Sequence, residues 1–565
     1  MKSIKLLYIG LLYLSLLFLP RLDAATFQYE DISIASQATL PGQSNHGYFE
    51  YSFIVQNSSP SRSHQVTLEL PFRDNGYGAR IYPLSRTANI PPRSKMMMRL
   101  YQPFIALPSN NIVRVVIDGS DRSLANPLTY SPINLHYYHN NTVFMITKSA
   151  MSHNPPEIEN ASGNMYMLSN VPVSEWSDNW LAFSRYPMII ITSEDFDMMS
   201  SGTRTALINY AECGGILVSD GELNIPSSWK KLNNKSGPWN IYSAGFGKII
   251  TTGKTFKKIA KRDWNRIYHM AAVNNGALQT NMSVNEANNH FPVVKKLNIS
   301  PGIIFFIMLV FAFLIGPVNI FILSRKKRKI WLLWTVPAGA LLFTIVLLIY
   351  ALSSETWGGH TRSRTLTVLD ENTRRAISLG RLAYFYPIPP GGGLMFSPWT
   401  EVGTIGVNQS NRVYSVDWTN GQHLRSGWFV AKTPCQLILR KNEPRRERLE
   451  IQRHKKSISI TNGLGVHIES LHLWDFDNEL YTATNIKPGA KVELGRIKIK
   501  SIRNNDSLKL GFYDSMIPAP DFKLMPGSYV AKLQSNPFVE PGRKFSANHK
   551  GEATLIGIMR QEDAK

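Results

Sequence analysis

Two cysteines in 565 residues, Cys213 and Cys435, are too few for a disulfide framework or for a zinc site of the multi-cysteine kind. They leave one long-range disulfide or two unpaired buried thiols, and the second is the expectation. Acidic residues are also short, 40 against 62 Lys and Arg, for a net charge of +22. That balance suits anionic headgroups or polyanions, but the cations are spread along the chain, so a general surface effect is the simpler reading. Neither G-x-C-x-G nor G-x-S-x-G occurs, so the usual sequence mark of an elbow-borne nucleophile is missing. The most telling scarcity is local: Ile303–Leu323 and Ile330–Leu352, each of more than twenty residues, contain no Asp, Glu, Lys, Arg or His.

At about 1.5 Å per residue each run makes a helix of roughly 30 Å, the thickness of a bilayer's hydrocarbon core. The expectation is a pair of transmembrane helices, 303–323 and 330–352. Arg325, Lys326, Lys327, Arg328 and Lys329 fill the short connection 324–329, and an excess of cations marks a cytoplasmic turn. The chain before and after this hairpin is then expected outside. Residues 1–24 point the same way: Lys2 and Lys5, then apolar Leu6–Leu19, then Leu22-Asp23-Ala24 make the pattern of a secretory signal peptide. Uncharged helices carry no path for ions or substrates by themselves, so a self-sufficient transporter is not expected. Gly316-Pro317, Pro337 and Gly339 mark kinks or close helix contact, and Asn319 is the one amide that can bond across the pair.

The hydrophobic content of 43% and 11% aromatics supports several packed domains. Between 26 and 125 the period-two runs Tyr48–Val55, His64–Leu70, Lys95–Tyr101 and Ile112–Ile117 predict an immunoglobulin-like β-sandwich. From 130 to 285 the pattern becomes strand and helix in alternation. Thr142–Thr147, Pro187–Thr192 and Ile216–Val218 are continuous apolar runs suited to a parallel sheet. Thr203–Cys213 places Ala206, Leu207, Tyr210 and Ala211 on one helical face, closed by Gly214-Gly215. Gly245-x-Gly247 precedes a strand rather than a helix, so a tight turn is expected there and not a phosphate loop. Ser219, Asp220 and Glu222, at a strand's end, are the residues an atypical site would use.

The order of Pro187–Thr192, a helix ending in Cys213-Gly214-Gly215, and Ile216–Glu222 resembles the class I glutamine-amidotransferase-like fold of exported bacterial membrane proteins. That resemblance implies a doubly wound domain, and in active members a cysteine nucleophile on a glycine-flanked elbow with a downstream histidine. Here Cys213 precedes the double glycine at a helix end, so no catalytic residue is assigned. A second resemblance rests on Gly316-Pro317-Val318-Asn319, the basic turn, Trp334–Pro337, Arg364–Asp370, Gly427-Trp428 and Thr461–Gly465, with Asp475 and Tyr481. These are similar to a family of uncharacterised bacterial inner-membrane proteins with a signal peptide, a sandwich, an amidotransferase-like domain, a membrane hairpin and a β-rich tail. It implies an inner-membrane protein with both large parts in the periplasm, and proteins of related architecture resemble accessory subunits of ABC-type or gliding-motility systems.

Residues 360–565 read as β-rich, one large sandwich or two small ones, through Arg364–Leu369, Arg412–Trp418, Gly427–Ala431, Gln436–Arg440, Ser457–Ile460 and Lys491–Ile499. Two basic stretches are candidates for anionic lipid: Lys254, Lys257, Lys258, Lys261 and Arg262, and an expected hairpin carrying Arg440, Lys441, Arg445, Arg446, Arg448, Arg453, Lys455 and Lys456, which could equally meet an acidic partner. Nucleic acid is not an expected partner on the exported side. His136 with His139 lack the accompanying ligands of a metal site, and His467 and His472, five apart on an expected strand, point to opposite faces, so neither metal nor cofactor is expected. The fold class is therefore a multidomain α/β plus all-β membrane protein. The function expected is non-catalytic binding or scaffolding in an envelope or ABC-type complex, with a periplasmic hydrolase or amidotransferase-like enzyme as the alternative.

Overall fold

The computed structural model describes residues 26–560 apart from 42–45, 71–79, 105–111, 124–127, 130–142, 154, 156–164, 227–228, 230, 233–237, 279–282, 295–300, 328, 355–358, 406–412, 455–456, 498–525 and 547. The expected signal peptide, His136, His139, Lys455 and Lys456 lie outside the described residues. The architecture is mixed α/β with several sheets and two long apolar helices. The chain divides into two compact units, one of Met1–Gln279 with Ser397–Glu401 and Asn411–Leu424, the other of Thr280–Phe396, Val402–Ser410 and Arg425–Lys565.

In the first unit one antiparallel sheet runs Thr26–Tyr29, Ile32–Ser36, Tyr48–Asn57, Ser94–Pro103. Alternation sets its buried face: Tyr51, Phe53 and Val55 are inside, as are Met98 and Leu100 across from them. A second sheet holds Arg80–Ile90, His64–Leu70 and Ile112–Ile117, with Val66, Leu68, Val113 and Val115 buried. Its far side is completed from a distant part of the chain. Val413–Asp417 pairs in parallel with Arg80–Ile90, and Gln422–Leu424 pairs with Val413–Asp417. The run Arg412–Trp418, read from sequence as part of the C-terminal region, thus belongs to the first unit.

The α/β part of this unit is built on the apolar runs expected for it. Its sheet order is Met165–Leu168, Val143–Ile146, Met188–Ile191, Ile216–Ser219, Gly247–Thr252, all parallel, followed by antiparallel Trp239–Ala244 and Lys231–Leu232. One face packs on the helix Lys261–Leu278 through Trp264, Ile267, Tyr268 and Ala271. Ser201–Glu212 forms the helix with Ala206, Leu207, Tyr210 and Ala211 buried. Gly214 stops it with φ +111°, and the amides of Gly214 and Gly215 bond back to Ala211 and Tyr210. Gly245-Phe246-Gly247 turns between antiparallel strands and sits against this helix end, where Phe246 N–H donates to Glu212 O at 2.8 Å. A Cβ on Gly247 would fall 2.1 Å from Ala211 O, so close backbone approach explains this glycine without any anion.

In the second unit the first apolar helix runs Pro301–Phe313, loosens into a π turn at Leu314–Val318, and resumes as Asn319–Arg325. Pro317 has no N–H to give the ladder, which accounts for the wider turn. Leu332–Ser354 is the second helix. Asn319 Nδ2 donates to Thr335 Oγ1 at 2.9 Å, Phe311 stacks on Phe343 at 3.9 Å, and a Cβ on Gly339 would meet Ile315 Cδ1 at 2.8 Å. The amide bridge and the close glycine contact read from the sequence are both present. The windows Phe305–Arg325 and Leu332–Ile349 are long and apolar enough to cross a membrane, and almost none of either is buried.

The large sheet of this unit runs Cys435–Pro444, Arg375–Phe385, His360–Asp370, Asn548–Ile558, Ser528–Leu533, Ile468–Trp474, Leu480–Ile486, Gly495–Ile497. A three-stranded sheet, Arg448–Arg453, Ile458–Gly463 and Lys491–Glu493, shares a core with it through Leu449, Ile458, Ile460, Leu471 and Leu555. The basic stretch is therefore no hairpin: Cys435–Pro444 and Arg448–Arg453 lie in different sheets. Gly427–Ala431 is irregular rather than a strand, bracketed by positive φ at Gly427 and Lys432. Val284–His290, which precedes the apolar helices, packs on the strands that follow them, with Ala287 beside Ile405 and Ile438. Phe291, fully buried, has the guanidinium carbons of Arg362, Arg381 and Arg364 at 4.4, 4.8 and 5.7 Å from its ring centroid.

Candidate functional site at the carboxyl ends of the parallel strands

The parallel strands follow the order 2-1-3-4-5, so connections leave in opposite directions on either side of Val143–Ile146. Open α/β sheets take ligands in the crevice at such a point, beyond the carboxyl ends of the strands. Each strand here ends in polar residues: Thr147, then Thr192-Ser193, then Ser219-Asp220.

Two carboxylates organise them. Asp195 is 2% exposed and accepts from Thr147 Oγ1 at 2.5 Å, Ser149 Oγ at 2.9 Å and Thr192 N–H at 3.1 Å. It also closes a capping box with Thr192 at the start of Ser193–Met198. Asp220 uses Oδ2 for His153 Nδ1 at 2.8 Å and Oδ1 for Ser193 N–H at 3.0 Å, with Ser193 Oγ at 3.5 Å. A Cβ on Gly221 would stand 2.5 Å from Ser193 Oγ, so the turn beyond Asp220 is closely packed.

The order of groups decides what this cluster can do. Nucleophilic activation needs the imidazole on the hydroxyl and the carboxylate behind the imidazole. Here the Asp220 carboxylate lies between Ser193 and His153, and Asp195 is filled by donors from Thr147, Ser149 and Thr192. Ser219 is fully buried, with Oγ accepting from Gly221 N–H at 3.4 Å, while Glu222 is exposed. Cys213 is buried at the end of the helix that precedes Ile216–Ser219, before the amino end of that strand, and Cys435 is half-buried; neither is in a disulfide. Among the described residues no group of three or more His, Cys, Asp or Glu could hold a metal ion.

Of the three residues singled out in sequence, only Asp220 joins the cluster through its side chain. His153, Ser193, Asp195 and Thr147 were missed. A signal was available for Thr147 and for the Thr192-Ser193 pair, which follow apolar runs just as Ser219 does; His153, at the end of the helix Lys148–Ser152, carried none.

The basic stretches differ in character. Lys254, Lys257, Lys258 and Arg262 are exposed beside the buried anchors Phe256, Ile259 and Trp264. In the other stretch Lys441 is buried against Glu443 and Glu540 at 2.7 and 2.6 Å, Arg445 bonds Glu443 and Glu447, and Arg453 bonds Asp475 and Asp477. Lys441, Arg445 and Arg453 are thus neutralised internally. A cleft of about 540 Å³ runs along Lys261–Leu278, lined by Trp239, Ile241, Asp263, Arg266, Ile267 and Met270. Next to it Tyr166 and Tyr268 share a hydroxyl hydrogen bond, and burial pushes the Tyr166 phenol up to about 12.

No protein-family model matches this sequence, and no curated protein sequence matches it.

Proposed function

We propose that this chain is a non-catalytic protein anchored in a bacterial inner membrane by a helical hairpin, with both folded units in the periplasm, acting as a binding or scaffold subunit of an envelope or ABC-type membrane complex. The observation that carries the anchored topology is the exchange of segments around the apolar helices. Val413–Asp417, which follows them, pairs with Arg80–Ile90, and Phe291, which precedes them, is enclosed by arginines that follow them. Only an even number of crossings keeps such partners on one side. The basic turn then sets the direction, with Arg325–Lys329 cytoplasmic.

The non-catalytic reading is supported by the strand-end cluster, whose acids are engaged by neighbouring donors and whose carboxylate separates hydroxyl from imidazole. The 2-1-3-4-5 parallel order supports the amidotransferase-like fold, and the two sandwich sheets, antiparallel but for the pairing of Val413–Asp417 with Arg80–Ile90, support the immunoglobulin-like one. Their activities do not follow from their folds. The apolar helices expose Phe305, Phe306, Leu341 and Leu342, a surface that lipid or a membrane subunit can cover.

Mild-detergent purification of the tagged chain from its native membrane, with mass spectrometry of companions, tests the scaffold reading. Stoichiometric recovery of membrane-complex subunits is expected. Recovery of the chain alone, together with hydrolytic turnover abolished by Asp220→Ala, would overturn it in favour of the enzyme.

A further inference from the structure

We infer that the sheet edge of Arg80–Ile90 is a strand-accepting groove whose ligand is this chain's own segment 413–424, so that the first unit completes its core only after the chain has crossed the membrane twice. The ordering rests on the hairpin reading; the strand pairing does not.

The segment brings more than backbone bonds. Tyr414, Val416, Trp418, Gln422 and Leu424 are all buried in the first unit. Trp418 reaches the opposite sheet, where it meets Tyr48 and Tyr101 edge-on at 6.2 and 5.2 Å and donates from Nε1 to Tyr101 O at 2.8 Å. Its own N–H donates to Ser85 O at 2.8 Å, and Thr419 Oγ1 accepts from Thr87 N–H at 3.0 Å. Gln422 Nε2 bonds the Tyr48 hydroxyl inside the same core. Without 413–424 the edge strand Arg80–Ile90 would present unpaired amides and carbonyls, and the core would lack its tryptophan. An open edge of this kind recruits other strands. Synthesis runs from the amino end, so Arg80–Ile90 reaches its compartment before residue 413 exists. The donor arrives only when Leu332–Ser354 has spanned the bilayer.

The test uses the full chain in proteoliposomes, with Cys213→Ala and Cys435→Ala as background and Thr87→Cys with Thr419→Cys as reporter for a short bis-thiol cross-linker. The expected result is a cross-link within one chain. Loss of it is expected when Leu341→Arg, Leu342→Arg and Ile345→Arg stop the second helix from crossing. In that arrested chain a synthetic peptide of residues 413–424, added on the first unit's side, is expected to slow proteolysis of the first unit by about tenfold relative to a scrambled peptide. No cross-link in the reporter background overturns the strand assignment. A cross-link only between two chains overturns the intramolecular ligand. A cross-link retained in the arrested chain overturns the dependence on crossing, and with it the hairpin, while leaving the pairing intact. A peptide without effect overturns the groove.

Discussion

Replacing Trp418 by alanine removes a side chain that links the two sandwich sheets of the first unit. Trp418 is 5% exposed, touches Tyr48 and Tyr101, and satisfies Tyr101 O. Large-to-small changes at such sites cost about 3–5 kcal/mol, because lost transfer energy and an unfilled cavity add. At about 1.4 kcal/mol per tenfold, a loss near 4 kcal/mol raises the opening equilibrium of the attached strand by roughly a thousandfold. Hydrogen exchange of the full chain in detergent reads this directly, at the amides of Arg80–Ile90, more than 300 residues away in sequence by virtue of the pairing with Val413–Asp417. Trp418→Ala should deprotect those amides by two to three orders of magnitude, about what 3–4 kcal/mol allows. Met97→Ala, at a side chain 40% exposed, should leave them within about threefold. Protection in Trp418→Ala within the same threefold would refute the claim that residues 413–424 are integral to that sheet.

Phe291→Ala should cost about 3–5 kcal/mol, because it empties the space between Arg362, Arg381 and Arg364 and leaves the fully buried Arg381 without its ring partner; limited proteolysis within 284–291 should become faster, while unchanged cleavage would contradict the packing. Gly247→Ala should fail to reach the native fold or lose several kcal/mol, since its Cβ would overlap Ala211 O and Gly215 O, whereas Gly253→Ala, with open space around it, should change the melting temperature by no more than about 2 °C. Burial holds the imidazoles of His472 and His549 below the ordinary value of about 6.5. Protonation is therefore harder in the folded chain, so their contribution is intact above about pH 6.5 and is lost as pH falls through the folded values. The double variant His472→Gln, His549→Gln should flatten the drop in stability between pH 7 and 5, and an unchanged slope would remove these two groups from the explanation.

Local pattern made some of this architecture legible. The parallel strands stand out because burial on both faces demands continuous apolar runs, and Gly214-Gly215 announces the helix end because a positive φ is needed there. The apolar helices follow from composition, and Pro317 and the lone amide Asn319 mark by their positions an irregular turn and a cross-helix bond, whose partner Thr335 only the structure gives. Partner choice was not legible. The alternation in Tyr414, Val416 and Trp418 marks a strand, but nothing local tells it to pair with Arg80–Ile90 rather than with its sequence neighbours. Arg375–Phe385, an inner strand, was passed over because Gly380 and Arg381 interrupt its apolar run; Arg381 is buried with Gln436 Oε1 and Ala287 O as acceptors. In the strand-end cluster, Asp220 was visible as the residue after an apolar run. Ser193 reaches it from the end of the neighbouring strand and His153 from the end of the helix Lys148–Ser152, which only the sheet order brings together.

The most direct test of the anchored topology is single-cysteine labelling with a membrane-impermeant maleimide, in a chain where Cys213 and Cys435 are replaced by alanine. Met198 of the first unit and Ile388 of the second are 61% and 65% exposed, and Lys327 lies exposed between the apolar helices. Met198→Cys and Ile388→Cys should both label in spheroplasts, and Lys327→Cys only in inverted vesicles. Labelling of Met198→Cys and Ile388→Cys from opposite sides would contradict the hairpin and everything built on it.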